Sequence, residues 1–157
     1  LKEGFLQRNF QGYSTYADCD LVAIGVSSIG KIGSTYSQNE RDIDAYYAAL
    51  DAGHLPIMRG YQLNQDDILR RNIIQDLMCR FSLDYQIYES VFGIPFSRYF
   101  AAELEDMKQL ETLGLVRLKP HSLTVTPKGR FLIRNIAMVF DYHLRHKETK
   151  AKYSQTV

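Results

Sequence analysis

Cysteine is scarce in this sequence, and the scarcity limits the chemistry that the chain can perform alone. Only Cys19 and Cys79 occur among the 157 residues. Disulfide frameworks and zinc sites are built from closely spaced cysteines, and no such spacing occurs here. Two reduced thiols in a reducing cytoplasm are therefore expected. An iron–sulfur cluster needs three or four thiolates, so the sequence predicts neither a cluster nor another metal site in this chain.

The sequence also lacks an excess of charge and a long apolar run. Its formal net charge is +1, with 19 Lys and Arg residues against 18 Asp and Glu. Nucleic-acid-binding domains are usually strongly basic, so this balance argues against a nucleic-acid partner. No stretch reaches the roughly 18–20 apolar residues that cross a bilayer, which argues against a membrane protein. The chain begins with Leu1 and shows no signal-peptide pattern, so a cytoplasmic fragment is expected.

The clearest apolar run lies in the first third of the chain. Residues 21–26 are continuously apolar, which is typical of a strand covered on both faces, as in a parallel sheet. A glycine-containing turn over 27–33, a polar loop and a helix over 42–50 are predicted to follow. One such unit cannot form a sheet alone. Residues 1–60 are therefore predicted to be an α/β fragment that needs neighbouring strands from elsewhere.

After residue 60 the pattern is mainly helical, with one hairpin. Helices are predicted over 64–81, 84–92, 97–113 and 126–146, and short strands over 115–118 and 122–125. Asn64 is the predicted cap of the first helix, which should turn Arg70, Arg71, Gln75 and Arg80 to solvent. The last helix should turn Phe131, Leu132, Ile136, Phe140 and Leu144 inward. Residues 61–157 are predicted to form a mainly α, winged-helix-like domain.

A winged-helix pattern raises the possibility of DNA binding, which the charges of the helix over 97–113 test. In a helix-turn-helix arrangement, the helix before the hairpin would enter the groove. This helix carries four acidic residues against two basic ones: Glu103, Glu105, Asp106 and Glu111 against Arg98 and Lys108. Phosphates would repel that surplus of acids, so a structural or docking role is favoured.

Several short segments, taken in order, resemble one enzyme family. They are Arg8-Asn9-Phe10-Gln11-Gly12-Tyr13, Gly25-Val26-Ser27-Ser28-Ile29, Tyr36-Ser37-Gln38-Asn39, Arg70-Arg71, Phe81-Ser82-Leu83-Asp84-Tyr85 and the stretch from Thr126-Pro127-Lys128-Gly129-Arg130 to Ile136. In this order and spacing they resemble the end of the radical SAM barrel (residues 1–60) and the C-terminal domain (residues 61–157) of oxygen-independent coproporphyrinogen III oxidases. Each motif alone is weak, but the set covers essentially the whole chain.

The resemblance implies a reaction and its cofactors. Enzymes of this family oxidatively decarboxylate two propionates of coproporphyrinogen III, which gives protoporphyrinogen IX in heme biosynthesis. They use a [4Fe–4S] cluster and two molecules of S-adenosylmethionine. The cluster-binding Cys-x-x-x-Cys-x-x-Cys motif is absent from this sequence. The chain alone is therefore expected to be inactive and to contain no catalytic residues, while the whole protein is expected to be a monomeric oxidoreductase.

The resemblance also implies three cofactor-binding residues. The positions that match Phe10, Gln11 and Ile29 contact S-adenosylmethionine in the family. Ile29 would follow the carboxyl end of the predicted strand, where α/β folds place their ligands. Gly25 and Gly30 would let the backbone approach the cofactor closely. Without the resemblance, the pattern favours ordinary core positions for Phe10 and Ile29 and a surface amide for Gln11.

Other interpretations stay open at this point. The radical SAM heme chaperones share the architecture but lack the stretch from Arg8 to Gly12. A non-catalytic interaction module needs no cluster-bearing half. Arg134 is either a partner for substrate propionates or a solvent-facing charge, and the four histidines show no metal spacing. The predicted strand over 21–26 would be exposed in the fragment, so self-association through it is expected.

Overall fold

A computed structural model describes residues 7–9, 12–14 and 19–146 of the chain. The chain divides into two compact units, one ending at Ile68 and the other beginning at Leu69. Both helices and antiparallel sheets are present, which confirms the predicted mixed character of the fold. Among the described residues, no helix combines the length and the apolar character that crossing a bilayer requires.

The first unit consists of short strands and one helix. Its elements are β1 (Gln7–Asn9), β2 (Gly12–Ser14), β3 (Ile29–Ile32), β4 (Thr35–Asn39), α1 (Ile43–Asp51) and β5 (Ile57–Gln62). Strands β1 and β2 pair as a hairpin, whereas β3, β4 and β5 form an antiparallel sheet in that order. The register places Ile29 opposite Gln38 and Thr35 opposite Gln62. Helix α1 begins at Asp42, whose carboxylate accepts the N–H groups of Asp44 and Ala45.

The predicted strand over residues 21–26 is wrong. Leu21 makes a single bridge to Lys31, and the chain then turns at Gly25–Ser27. The strand occurs later, at β3, and pairs with β4 around Gly33. The reason is local. Side chains from β4 and α1 bond to the Ala23 carbonyl and to both backbone polar groups of Gly25, which hold this segment in a turn rather than in a strand.

The second unit holds most of the helices. Helix α2 (Gln65–Arg80) leads into it, and the elements that follow are β6 (Ser82–Asp84), α3 (Tyr85–Phe92), α4 (Phe96–Tyr99), α5 (Ala101–Thr112), β7 (Val116–Lys119), β8 (Ser122–Val125), α6 (Pro127–Arg130), α7 (Ile133–Met138) and α8 (Tyr142–Arg145). The predicted hairpin is confirmed as β7 and β8. Strand β6 joins it as the other neighbour of β8, giving the order β6-β8-β7. In register, Leu83 and Leu118 both lie opposite Leu123.

Helix α2 starts at the predicted cap. The Asn64 side chain accepts the N–H of Asp67 at 2.9 Å, and the Asp67 carboxylate accepts the N–H of Asn64 at 3.1 Å. This reciprocal pair satisfies two N–H groups that the first turn leaves without helical acceptors. Helix α3 ends at Gly93, which adopts φ 65°, a conformation that glycine takes without steric cost. Both predicted helix boundaries are therefore confirmed.

The predicted continuous helix over 126–146 is wrong. Three short helices, α6 to α8, replace it, and the expectations for Phe131, Leu132 and Leu144 fail with it. Phe131 is 91% exposed, whereas Ile136 and Phe140 are buried as predicted. The break between α7 and α8 follows from Asp141, whose carboxylate accepts the N–H of Leu144 and starts α8. It leaves Phe140 buried, with its carbonyl group available to a side chain of α2.

The core of the second unit is aromatic at its centre. Tyr85 and Phe96 stack with ring centroids 4.3 Å apart, Phe96 and Phe100 lie 4.8 Å apart, and Phe100 and Phe140 meet at 5.5 Å. The largest fully buried side chains include three of these rings: Phe96, Phe100, Phe140, Ile73, Leu77, Leu83, Met107, Leu123, Ile136 and Val116. A helix predicted over 97–113 is divided into α4 and α5 at Phe100, which is buried between them.

Candidate functional site

Ile29 is the described member of the three predicted cofactor-binding residues. It opens β3, is half-buried, and lies opposite Gln38 of β4. Phe10 and Gln11 lie outside the described residues, so the structure neither brings them to Ile29 nor separates them from it. The candidate site is therefore built on Ile29 and on the segment 21–28 that leads into it.

Asn39 holds the middle of segment 21–28. This side chain is 4% exposed, and its Nδ2 donates to the carbonyl oxygens of Ala23 at 3.3 Å and Gly25 at 3.0 Å. A buried amide is stable only when its polar groups have partners, and here both acceptors come from the same segment. The Asn39 backbone N–H also donates to the Ser28 carbonyl at 2.9 Å. The end of β4 thus fixes the backbone that precedes Ile29.

Further hydrogen bonds close the turn at its tip. The Tyr46 hydroxyl on α1 accepts the N–H of Gly25 at 3.1 Å, and the Glu40 carbonyl accepts the N–H of Ser27 at 2.7 Å. Ser28 Oγ donates to the Ile24 carbonyl at 2.7 Å. Gly25 has φ +97°, a region that side chains rarely adopt, so the turn requires a glycine there.

Gly30 brings the segment close to β3. A Cβ atom at this position would lie 3.0 Å from the Leu21 carbonyl oxygen and 3.3 Å from the Ala23 Cβ. Both distances are tighter than ordinary contact, so a larger side chain would push the segment away. The predicted role of Gly30 was close approach of the backbone to a cofactor. In the structure it permits close approach of the segment to the strand.

The side chains that this arrangement turns outward are apolar. Val22, Ile24 and Val26 are 67%, 83% and 40% exposed. The backbone N–H groups of Ile24 and Val26 have no acceptor among the described ranges 7–9, 12–14 and 19–146. A fixed apolar surface with available N–H donors is suited to a flat, partly polar ligand. The side chains of Val22, Ile24 and Val26 carry no ionisable group, so they offer a ligand apolar contact.

A buried ion pair forms a second polar cluster, in the second unit. Arg70 Nη1 lies 2.8 Å from Glu103 Oε1 and donates to the Phe140 carbonyl at 3.2 Å. The guanidinium carbon also lies 5.0 Å from the Phe100 ring centroid and 5.4 Å from that of Tyr142. The prediction that Arg70 faces solvent is wrong, because Glu103, Phe140 and Tyr142 enclose its guanidinium group. Arg70 and Glu103 are 33 residues apart in the sequence, so no local pattern predicts that they pair.

Two buried tyrosines have raised pKa values. Burial, with Glu111 adding a smaller repulsion, raises the pKa of Tyr85 to about 12. Burial also raises the pKa of Tyr88, whose hydroxyl donates to Asp76 Oδ2 at 2.6 Å. Both phenols remain protonated at neutral pH and lie in the core, which indicates a structural role. Arg134, considered as a propionate partner, is exposed on α7.

An iron–sulfur cluster does not fit the residues of this chain. Cys19 and Cys79 form no disulfide, and the described ranges hold no group of three or more His, Cys, Asp or Glu side chains that could bind a metal ion. Two cysteines in the whole sequence are fewer than a cluster requires.

Comparison with known proteins finds relatives of this chain. Residues 63–132 match the HemN C-terminal domain family. The chain is 48% identical over 143 residues to the oxygen-independent coproporphyrinogen III oxidase of Pseudomonas aeruginosa, covering 91% of this chain and 31% of that protein. It is 42% identical over 156 residues to the enzyme of Escherichia coli, covering 99% of this chain and 34% of that protein.

A solved structure agrees with the sequence comparison. Coproporphyrinogen III oxidase (HemN) from Escherichia coli, a radical SAM enzyme, matches with a TM-score of 0.87 and 44% identity, over 90% of this chain and 33% of that one. The resemblance predicted from the ordered motifs is confirmed. The chain spans about a third of the length of the curated relatives it matches.

Proposed function

We propose that this chain is the C-terminal third of an oxygen-independent coproporphyrinogen III oxidase of the cytoplasm. The whole protein would oxidatively decarboxylate two propionates of coproporphyrinogen III and yield protoporphyrinogen IX. The observation that carries the proposal is the extent of the similarity: identity of 42% spans 99% of the chain rather than one domain. A shared accessory domain alone would match only its own part.

The two parts of the chain would have different roles. Residues 1–60 would complete the catalytic barrel, and residues 61–157 would form a winged-helix-like C-terminal domain. The exposed apolar residues of the first unit support the first role, since a longer protein would cover them. They include Val22, Ile24, Ile43, Tyr47 and Leu55. The strand order β6-β8-β7, with helices before and between its strands, supports the second.

S-adenosylmethionine would bind at Ile29 and the apolar segment 21–28, together with Phe10 and Gln11. When bound next to a reduced [4Fe–4S] cluster, this cofactor supplies the radical that starts the reaction. The residues of this chain would bind and orient it, because they include no redox group. The cluster ligands would lie in the remainder of the protein. Support comes from the fixed backbone before Ile29 and from the N–H groups of Ile24 and Val26, which have no acceptor among the described residues.

The cofactor proposal is tested by paired substitutions on one strand. In the longer protein, Ile29→Ala should weaken S-adenosylmethionine binding about tenfold, which is the loss expected for one apolar contact of about 1.4 kcal/mol. Ile32→Ala is the matched control, because Ile32 lies on the same strand and is 56% exposed. Anaerobic equilibrium dialysis gives both affinities. Equal affinities for the two variants would remove Ile29 from the site.

Two other functions would give different results. A radical SAM heme chaperone would bind heme and leave coproporphyrinogen III unchanged. A stand-alone interaction module would have no Cys-x-x-x-Cys-x-x-Cys motif encoded upstream of Leu1. The enzyme proposal expects on the order of 200 or more upstream residues that contain this motif, enough to build the rest of a barrel. The gene sequence therefore separates the module from the other two.

The proposed state of the whole protein is a monomer. The isolated 157-residue chain should self-associate at high concentration, because its first unit exposes apolar side chains such as Ile24 and Leu55, 83% and 78% exposed. Sedimentation at several concentrations measures this directly. Replacing both residues with serine should shift the equilibrium to the monomer, whereas unchanged association would place the contact elsewhere.

A further inference from the structure

Arg71 on α2 has buried nitrogens without partners. Its Nε and Nη1 are both buried, and neither has a hydrogen-bond acceptor in the part of the chain that the structure describes. No carboxylate of the described residues lies within salt-bridge distance of it. The adjacent Arg70 differs, since it pairs with Glu103 and with the Phe140 carbonyl. The sequence prediction that Arg71 is a solvent-facing charge is therefore wrong, because two of its nitrogens are enclosed.

Burying a guanidinium without a partner costs folding free energy, and the side chain cannot avoid this cost by losing its proton. Arginine stays protonated in proteins, so Arg71 cannot become neutral as a buried lysine would. Buried charges are normally paired, because burying an ion without a partner is costly. A water molecule could accept one N–H but would leave the charge uncompensated. The arrangement therefore indicates an anionic partner from outside the described residues.

The position of the third nitrogen indicates which anion fits. Nη2 has no hydrogen bond to the described residues and is not one of the two enclosed nitrogens, so it is the nitrogen at which an anion can approach. A planar guanidinium binds a carboxylate with two parallel N–H···O bonds. Both such modes include Nη2, paired with Nε along one edge or with Nη1 along the other. One carboxylate that reaches Nη2 would thus also bond to one of the two buried nitrogens.

We propose that Arg71 is the binding residue for a carboxylate that the described residues do not supply. The carboxylate can come from two sources that share this chemistry. If the proposed function holds, one source is a propionate of the porphyrinogen substrate. The other is an Asp or Glu side chain from the rest of the longer protein. The second source does not depend on the reaction that the protein catalyses.

The carboxylate site is tested on the 157-residue chain with propionate as the probe. Sodium propionate should raise the thermal unfolding temperature by a few degrees more than sodium chloride at equal ionic strength. Arg71→Gln should abolish this difference. Arg117→Gln should retain it, because Arg117 is an exposed arginine on β7. No propionate-specific shift in the wild type, or an equal shift in Arg71→Gln, overturns the proposal.

The stability of the free variant separates binding from structure. Arg71→Gln removes a buried charge that has no partner, so without propionate it should unfold at the same temperature as the wild type or a higher one. A merely structural arginine would give a lower temperature. A fall of several degrees in the free Arg71→Gln chain therefore contradicts the proposal, even if propionate binding is also lost.

The longer protein distinguishes the two sources. With a substrate propionate, Arg71→Gln should raise the KM for coproporphyrinogen III at least tenfold and leave the KM for S-adenosylmethionine unchanged. With a protein carboxylate, the variant should instead lower the unfolding temperature of the ligand-free protein and leave both KM values unchanged. If the variant shows neither of these effects, the proposal is overturned. Failure of the wild-type protein to convert coproporphyrinogen III would refute the proposed function alone, since the propionate titration does not involve catalysis.

Discussion

Replacing Gly129 with alanine adds a methyl group where the second unit has no room for it. A Cβ atom there would lie 2.0 Å from the carbonyl oxygen of Leu115 and 2.9 Å from Cγ1 of Val125. The nearest atom belongs to the backbone, so a change of rotamer cannot relieve the clash. Helix α6 or the chain entering β7 must move instead.

The expected loss of stability combines three effects. Overpacking costs about 1–3 kcal/mol and falls at the upper end when the backbone must move. The movement also disturbs Thr126, whose Oγ1 accepts the Gly129 N–H at 3.0 Å, and a lost cap costs about 1 kcal/mol. Alanine is favoured over glycine in a helix by about 1 kcal/mol. The net loss is about 2–3 kcal/mol, which for a domain of 60–100 residues lowers Tm by roughly 10–20 °C.

Thermal unfolding followed by far-UV circular dichroism measures this effect, since most of the helix lies in the second unit. Gly60→Ala is the matched control. Its added Cβ would lie 3.5 Å from the Tyr36 carbonyl oxygen, an ordinary contact, so its effect should stay within about 0.5 kcal/mol. A Gly129→Ala protein that unfolds within about 3 °C of the wild type would refute the packing described around α6.

Three further substitutions test other parts of the structure. Glu103→Gln removes the Glu103 charge from the buried pair with Arg70 and should cost about 3 kcal/mol in urea unfolding. Glu105→Gln, in an exposed pair on the same helix, should cost under about 1 kcal/mol, and equal losses would contradict the buried pair. The raised pKa of Tyr85 favours the protonated phenol in the folded state, so its contribution is complete below pH 10 and is lost as pH rises towards 12. Tyr85→Phe should therefore lose less stability than the wild type over that interval, and parallel curves would contradict the assignment. Asn39→Asp removes the Nδ2 group that donates to the carbonyls of Ala23 and Gly25, and it should speed hydrogen exchange in residues 21–28. Unchanged exchange would show that other bonds hold the segment.

Local signals in the sequence predicted much of the second unit. The cap at Asn64, the end of α3 at Gly93 and the hairpin around Pro120 depend on residues close together in sequence, and all three are confirmed. Apolar periodicity also placed Ile136 and Phe140 in the core. It failed for Phe131, because the chain breaks its helix at 131–132, and periodicity assumes an unbroken helix.

Long-range contacts explain what the sequence could not predict. The apolar run over 21–26 was predicted to be a covered strand, but Asn39 and Tyr46 bond to the backbone of Ala23 and Gly25 and hold it in a turn. The partner of Arg70 lies 33 residues away, and no spacing rule connects them. The sequence also could not predict that two nitrogens of Arg71 are buried without a partner among the described residues, because this depends on the positions of the acidic side chains in the fold. Of the predicted cofactor residues, Ile29 lies beside a fixed apolar segment, and its contact with S-adenosylmethionine remains a prediction.

The most direct test of the proposed function is the anaerobic reaction of the longer protein. Purified with its cluster reconstituted, it should convert coproporphyrinogen III to protoporphyrinogen IX when S-adenosylmethionine and a reductant are supplied. The same protein without these 157 residues should show no conversion, and this chain alone should show none. The absence of conversion by the complete, cluster-loaded protein would contradict the account, as would full activity in the protein from which this chain has been deleted.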